Sequence, residues 1–289
     1  MSRRGPRAAR TVGGITQARF GQVPRRYAPI RVISDDQVAA IHQAALDVLA
    51  RQGIRVLEDR ARVLYRQAGA EVEGDMVRLD PGLVTERLST APGHFTLAAR
   101  DPAKSLKIGG GDVIFASVGG PAYVMDQAGG RRTGSFAEMC DFLKLVQVLN
   151  VLHQEGGCPF EPMDLPANTR HLDIYRAQIG LLDKSWQTQT LGHARTMDGI
   201  EMAAIAFGMS LDELVQTPTL MGVINTNSPR QLDIPMAEGL ITMAEFGQVN
   251  VITPFTLAGA MAPVTLGGAL VLQHAEAMAG IVLTQIVRP

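Results

Sequence analysis

The chain has 289 residues, 46% of them hydrophobic, and a formal net charge of -1. This length fits a large core, with room for about two average domains or one α/β barrel. The two cysteines, Cys140 and Cys158, provide no disulfide framework, which excludes a disulfide-stapled scaffold and makes the reducing cytoplasm the expected location.

The charge is concentrated at the N-terminus, where residues 1–34 hold eight arginines and no acidic residue. A basic segment containing glycine and proline is usually solvated, so we predict a disordered arm over residues 1–29. A targeting peptide or a nucleic-acid contact is the less favoured interpretation. No apolar run of the secretory type precedes a cleavage site, and we do not expect secretion.

A small α+β region is predicted for residues 30–130. A capping box at residues 34–37 begins a helical pattern that ends at Gly53. A second, shorter helix is predicted near residues 59–68. Short strands are predicted at residues 71–79, as a turning pair, and near 95–98, 113–117 and 122–125.

The order of predicted elements changes in residues 131–289, where strands and helices alternate. A second capping box, Ser135 to Glu138, begins the first helix of this region. Apolar strands then end at polar residues, marked by Gln154, Thr190, Asn225 and Thr253, with gaps of 36, 35 and 28 residues. Helical patterns follow at about residues 168–183, 196–216, 232–247 and 263–283.

A strand and a helix in every gap are typical of serial βα units in a parallel sheet. No glycine-rich dinucleotide fingerprint begins any helix, so a (β/α)8 TIM-type barrel is favoured over a doubly wound sheet. Only four or five units are present before Pro289, and we therefore expect the barrel to be incomplete in this chain. Residues 246–275 carry no formal charge, but prolines interrupt them, so we expect a buried strand and a core helix and no membrane span.

Polar side chains at strand ends are the candidate site residues, because barrel enzymes place their chemistry there. They are mostly neutral, which argues against a hydrolase with paired acids and suits a site that orients its substrate. We cannot assign a catalytic residue among them, and each could instead cap a helix or satisfy a loop. The candidates are Glu155, Gln187, Gln189, Asn225, Asn227 and Thr253.

Two aromatic residues extend this candidate set. Trp186 is the only tryptophan and precedes Gln187, while Phe255 follows Thr253. An aromatic face attracts a quaternary ammonium through the ring quadrupole. The alternative for Trp186 is a core position, because a tryptophan buries a large apolar area.

A metal site is not predicted. His153, Glu155 and Cys158 lie within six residues of one another, but zinc sites use three or four ligands at recognisable spacing, and no further ligand is close in sequence.

Three segments of the chain resemble the trimethylamine methyltransferase family. They are residues 119–126 with Arg131 and Arg132, residues 254–266 and residues 275–285. The resemblance implies a (β/α)8 barrel that transfers a methyl group from a methylamine, or from a quaternary amine such as glycine betaine, to a cognate corrinoid protein. The corrinoid is then carried by the partner, and no cofactor is bound directly. Family members are longer, so the resemblance also implies that this chain is a C-terminally truncated member.

Methyl transfer from a quaternary amine fits neutral site residues, because the substrate has no proton to remove and positioning suffices. One alternative is a truncated, inactive fragment. Another is a different barrel enzyme, a lyase or aldolase, which would need a reactive lysine; only Lys184 lies near a candidate strand. We expect no nucleic-acid or membrane partner, and the methyl donor and the oligomeric state, homo-oligomer included, stay open.

Overall fold

The computed structural model describes residues 15–120 and 123–289. Its helices are α1 Asp35–Arg51, α2 Asp59–Gln67, α3 Pro81–Ser89, α4 Phe136–Val148, α5 Arg170–Leu181, α6 His193–Phe207, α7 Leu211–Leu214, α8 Ile234–Glu245 and α9 Leu266–Val287. Its strands are β1 Val23–Pro24, β2 Ile54–Val56, β3 Glu71–Glu73, β4 Met76–Arg78, β5 Phe95–Leu97, β6 Leu106–Ile108, β7 Asp112–Val113, β8 Val124–Asp126, β9 Gly130–Arg132, β10 Trp186–Thr188, β11 Leu220–Ile224, β12 Gln231–Leu232 and β13 Val249–Ile252.

The predicted arm, residues 1–29, lies partly outside the described residues. From residue 15 the chain is extended, and β1 pairs antiparallel with β7. Gln22 donates a hydrogen bond to the main chain of Lys107 and accepts one from it, both at 2.8 Å. Gln17 donates to a carbonyl oxygen at the end of α4 at 2.9 Å. Side-chain amides therefore join the second part of this segment to the rest of the fold, while the disorder of the arm stays a prediction.

The two predicted regions, residues 30–130 and 131–289, both contribute to one hydrophobic core cluster, while a second cluster is formed by the later region alone. Strand β12 of the later region pairs parallel with β2 of the earlier one, extending a four-stranded sheet with the order β12-β2-β4-β3. Helix α9 packs against α1, α2 and α3. The Tyr65 hydroxyl on α2 donates to the carbonyl oxygen of Ala279 on α9 at 2.8 Å. The earlier region thus supports the last helix of the later one.

The later region is built from parallel strands in chain order. Strands β10, β11 and β13 pair in parallel, with Gln187 opposite Met221 and Met221 opposite Val249. Single parallel bridges add the segments of Gln154, beside Ser185, and of Ala116, beside Gln154. The chain continues from these five segments into α4, α5, α6, α8 and α9 in turn. The serial βα pattern is therefore present, while closure into a barrel stays a prediction.

One predicted helix is divided in the structure. The pattern over residues 196–216 predicts a single helix, but α6 ends at Phe207, and its C-cap Gly208 has a left-handed φ of +65°. Such a residue terminates a helix, and glycine adopts it without strain. Ser210 then forms a capping box with Glu213 that begins α7. The two capping boxes predicted at Ser34 and Ser135 are confirmed.

Helix α9 is long and apolar enough to cross a membrane by length and composition. Half of its most apolar window is nevertheless buried inside the protein. It contacts helices of both regions and buries the polar side chains of Glu276 and Gln285. This packing agrees with the core helix predicted from the sequence.

Candidate functional site

The parallel sheet has one face that packs on the helices following its strands. The Trp186 ring stacks on Phe207 of α6 at a centroid distance of 5.9 Å. A Cβ on Gly222 would lie 3.2 Å from a side-chain atom of Met243 on α8, and one on Gly280 of α9 would lie 2.8 Å from Ile252. Even-numbered positions of β10, β11 and β13 therefore face the helices, and we call this side the helix face.

Because successive side chains in a strand point to opposite faces, the odd-numbered positions share the other side. We call it the amide face. The Nε2 of Gln154 lies 3.8 Å from Sδ of Met221, which places Gln154 on this side as well. The members within the paired strands are Gln187, Met221, Val223, Val249 and Val251. Continuing the alternation one position past the strand ends assigns Gln189, Asn225 and Thr253 to the same side.

Asn225 and Thr253 meet at the carboxyl ends of neighbouring strands. The Thr253 hydroxyl donates to Oδ1 of Asn225 at 2.8 Å, and the Thr253 N–H continues the ladder to the Ile224 carbonyl oxygen at 2.8 Å. Residues 28 positions apart in the sequence thus form one polar edge. Two of the predicted site residues are brought together by direct contact.

Gln187 and Gln189 extend this edge toward the loop after Gln154. Gly157 has a φ of +91°, and a Cβ there would lie 3.3 Å from Cβ of Gln187, so glycine suits this approach of the loop to the strand. The Nε2 of Gln189 donates to Oε1 of Glu161 at 3.3 Å. Oε1 of Gln189 is buried and forms no hydrogen bond within the described residues.

Glu161 and Arg170 also lie at this edge, although neither is among the residues predicted from the sequence. The Glu161 carboxylate that accepts from Gln189 also pairs with Nη1 of Arg170 at 3.3 Å. Arg170 is the first residue of α5 and donates to the carbonyl oxygen of Leu165 at 3.0 Å. A charged residue shortly after a strand end was the available signal, but its partner is set by the folded loop.

The Glu155 side chain lies on the helix face, where its carboxylate is close to the main chain of Gln187. It is 0% exposed, and its Oε2 accepts from Nε2 of Gln178 on α5 at 2.8 Å and from the Gly157 N–H at 3.0 Å. Burial raises the pKa of the Glu155 carboxyl to about 7, although these hydrogen bonds act in the opposite direction. Because Glu155 points toward α5, it lies on the opposite side of the sheet from Gln187, Asn225 and Thr253.

Trp186 is also on the helix face and is 1% exposed. Its stacking on Phe207 corresponds to the core alternative stated for it above. Phe255 differs, because it is 54% exposed in the loop between β13 and α9, just after Thr253. Of the two candidate aromatic residues, only Phe255 is available at the strand ends.

Asn227 has a local partner. Its Oδ1 accepts from the N–H of Asp233, the N-cap of α8, at 3.2 Å, and its own N–H donates to the Gln231 carbonyl oxygen at 2.7 Å. These contacts close the loop after β11 and support the start of α8. These contacts favour the alternative stated above, in which Asn227 forms hydrogen bonds within the loop, over a position on the amide face.

The residues considered above for a metal site have other partners in the structure. His153 uses both ring nitrogens, with Nδ1 accepting from the Phe115 N–H at 2.9 Å and Nε2 bonded to the Gly21 carbonyl oxygen at 2.9 Å. Burial raises the pKa of the Cys158 thiol. Across residues 15–120 and 123–289, no three His, Cys, Asp or Glu side chains group closely enough to hold a metal ion.

Lys184 is a helix cap. It is 0% exposed, and its Nζ donates to three carbonyl oxygens at or after the end of α4, at 2.6, 2.9 and 2.8 Å. Burial lowers the pKa of the Lys184 ammonium to about 8. With its donors occupied away from the amide face, it is not placed to attack a substrate there, which disfavours the lyase or aldolase alternative.

The fold and the site together define a serial βα protein that presents neutral hydrogen-bonding side chains at the ends of its parallel strands. A family model described as trimethylamine methyltransferase (MTTB) matches residues 1–289. The chain belongs to this family.

Three relatives of the chain are methyltransferases that are named for different methylated amines. The chain is 34% identical over 270 residues to a glycine betaine methyltransferase of Desulfitobacterium hafniense, covering 93% of this chain and 56% of that protein. It is 26% identical over 269 residues to a proline betaine:corrinoid methyltransferase of Eubacterium limosum, covering 90% and 54%. It is 25% identical over 281 residues to a trimethylamine methyltransferase of Methanosarcina mazei, again covering 90% and 54%. The chain thus spans about half the length of the curated relatives it matches.

Proposed function

We propose that this chain provides the amine-binding part of a methyltransferase that acts on tertiary or quaternary methylated amines. The methyl group would pass to the cobalt of a separate corrinoid protein, so that this chain binds no cofactor itself. Family membership and the names of the three relatives support the reaction class. The observation that carries the proposal is the contact of Asn225 with Thr253 at the ends of neighbouring parallel strands, on the same face of the sheet as Gln187.

Methyl transfer from an amine to cobalt requires of this chain mainly that it positions the amine. In a quaternary amine one carbon–nitrogen bond breaks, its electron pair stays on nitrogen, and a neutral tertiary amine leaves without any proton transfer. A tertiary amine would react as its protonated ammonium form, and the neutral secondary amine that leaves keeps that proton. The corrinoid would supply the nucleophilic cobalt that takes the methyl group. The side chains of the amide face would hold the amine in line for this displacement and exclude water, which can account for a large part of a rate enhancement.

The composition of the amide face suits a cation that cannot donate a hydrogen bond. The side-chain oxygens of Gln187, Gln189 and Asn225 offer partial negative charge, and Glu161, in contact with Gln189, adds a full charge partly neutralised by Arg170. Phe255 at the rim offers an aromatic surface, whose face attracts quaternary ammonium groups. Such a site binds by shape and polarisation and needs no acid or base.

We further propose that the five parallel segments belong to a (β/α)8 barrel. In that architecture the carboxyl ends of all strands surround a single mouth, which would place the Asn225–Thr253 edge at the opening where a corrinoid protein can approach. A cytoplasmic location agrees with the two free cysteines.

The direct test is methyl transfer to reduced cobalamin. The reaction is monitored by the change in the visible absorbance of the cobalamin as it is methylated. The full chain would be assayed with glycine betaine, proline betaine and trimethylamine as separate methyl donors. We expect turnover with at least one donor. Failure with all three, in a sample shown to be folded, would contradict the proposal.

A further inference from the structure

We infer that Glu276 is a positioning residue of the proposed site, and that it acts by fixing the loop of residues 226–230. We call this segment the β11 loop. It follows directly after Asn225, whose amide forms the polar edge with Thr253. The kinetic consequence of this inference rests on the proposed function, whereas its structural consequence does not.

Glu276 is an unusual side chain for its surroundings. It lies on the apolar helix α9 and is 0% exposed. A buried carboxylate is costly unless hydrogen bonds replace its hydration. Three such bonds are present, and all three come from the β11 loop. Oε2 accepts from the hydroxyl of Thr226 at 2.5 Å and from that of Ser228 at 2.8 Å, and Oε1 accepts from the Arg230 N–H at 2.7 Å.

The loop is held in a conformation that depends on such support. Arg230 has a φ of +53°, a left-handed value that few non-glycine residues adopt. Strain of this kind persists where neighbouring contacts determine the backbone, and it is concentrated at functional sites. The Arg230 guanidinium does not neutralise Glu276 but donates to the carbonyl oxygens of Gln52 and Gly53, at 3.1 and 2.9 Å.

These contacts make the β11 loop a link between α9, the end of α1 and the amide face. Thr226 is the residue after Asn225, so fixing its hydroxyl on Glu276 limits the positions that the Asn225 amide can take. A displacement of about 1 Å in a positioning group can cost about a hundredfold in rate. Glu276 itself stays behind the loop, which makes it a positioning residue and not a catalytic one.

Helix α9 offers a matched control. Gln285 is another buried polar residue of the same helix, 7% exposed, and its Oε1 accepts from the Thr90 hydroxyl at 2.9 Å. Its hydrogen bond leads to the residue after α3 and not to the β11 loop. Gln285→Ala also deletes a buried polar side chain of α9 and should destabilise the fold. It should leave the conformation of the β11 loop unchanged.

The test combines amide hydrogen exchange with kinetics in Glu276→Ala, Glu276→Gln and Gln285→Ala. The Arg230 amide reports directly, because it donates to Glu276. We expect its exchange to become at least about tenfold faster in Glu276→Ala. Glu276→Gln should restore most of the protection, since one acceptor oxygen remains and hydroxyl groups can turn to accept from the new NH2. In Gln285→Ala the exchange should follow global stability alone.

Kinetics separate a positioning role from a purely structural one. We expect kcat/KM for the best amine donor to fall about tenfold in Glu276→Ala, to recover in Glu276→Gln and to stay near wild type in Gln285→Ala at matched fraction folded. Equal losses in Glu276→Ala and Gln285→Ala would overturn the inference, as would unchanged Arg230 exchange. If Glu276→Ala does not fold, Ser228→Ala removes one donor to the same carboxylate and should give a smaller change of the same sign. A wild-type protein without turnover would contradict the proposed function, while the exchange result would still decide the role of Glu276 in the loop.

Discussion

The two faces of the parallel sheet carry similar residue types and use them differently. On the helix face, Trp186, Lys184 and Glu155 are at most 1% exposed, and each is held by a partner on or beside a helix. On the amide face, Gln187 and Thr253 are only half-buried, and Asn225 is exposed. Strand alternation therefore separates the polar and aromatic residues around positions 184–190 into structural and site groups.

The largest expected effect compares two consecutive residues. Trp186→Ala should lower the free energy of unfolding by about 3–5 kcal/mol, because it removes a fully buried ring and leaves a cavity. Gln187→Ala should lower it by less than about 1 kcal/mol, because its half-buried side chain lies on the other face. Urea denaturation of both variants measures the difference. Equal losses would show that the two residues do not lie on opposite faces.

Lys184→Met should cost about 3–4 kcal/mol, because it removes a buried donor shared by three carbonyl oxygens at or after the end of α4, of which only that of Leu149 also accepts from a main-chain N–H among the described residues. The control is Lys144→Met, since Lys144 is exposed on α4 and pairs with Asp141 three residues away. That variant should stay within about 0.5 kcal/mol of wild type. A small effect at Lys184 would argue against its capping role and revive a reactive lysine.

Glu155 should make stability depend on pH. Its folded pKa is raised to about 7 from the ordinary 4.5, so the folded state binds more protons than the unfolded state between these values. The free energy of unfolding should therefore decrease as pH rises from about 4.5 to 7, by up to about 3 kcal/mol. Glu155→Gln keeps the shape without the titration and should flatten this part of the profile. An unchanged slope in that variant would assign the pH dependence to other groups.

Asn225→Ala should leave stability nearly unchanged but lower kcat/KM about tenfold, equivalent to about 1.4 kcal/mol of transition-state stabilisation. Asn227→Ala is the matched control, with the same group removed two residues away, where it supports α8. We expect it to have the smaller effect on kcat/KM. A larger loss of kcat/KM in Asn227→Ala than in Asn225→Ala would indicate that the substrate binds at the loop and not on the amide face.

A double-mutant cycle measures the smallest effect. Asn225→Ala and Thr253→Val each remove one partner of the hydrogen bond that joins the two strand ends. The coupling energy in kcat/KM should be about 0.5–1.5 kcal/mol, as for residues in direct contact. Additive losses would indicate that the two side chains act separately on the substrate.

Much of the backbone was predictable from local patterns. The capping boxes at Ser34 and Ser135 and the order of strands and helices after residue 150 follow from residue types at fixed spacing. The division of the helix at Gly208 did not, because an isolated glycine is tolerated in many helices and only the folded chain shows its left-handed conformation.

The candidate site was predictable only in part. Gln187, Asn225 and Thr253 could be found as polar residues at strand ends, but the sequence does not fix the strand register to a single residue. A shift of one position exchanges Trp186 with Gln187, and Glu155 with Gln154, between the faces. The contacts of Glu161 and Glu276 join residues distant in the chain and have no signature in local spacing.

The most direct measurement is a titration of the protein with glycine betaine, observed through the side-chain NH2 resonances of 15N-labelled asparagine and glutamine. The NH2 signals of Gln187, Gln189 and Asn225 should shift together with one dissociation constant, while those of Gln178 and Asn227 stay in place. Shifts confined to Asn227 or Gln178, or no saturable shift with any methylated amine, would contradict a binding site on the amide face.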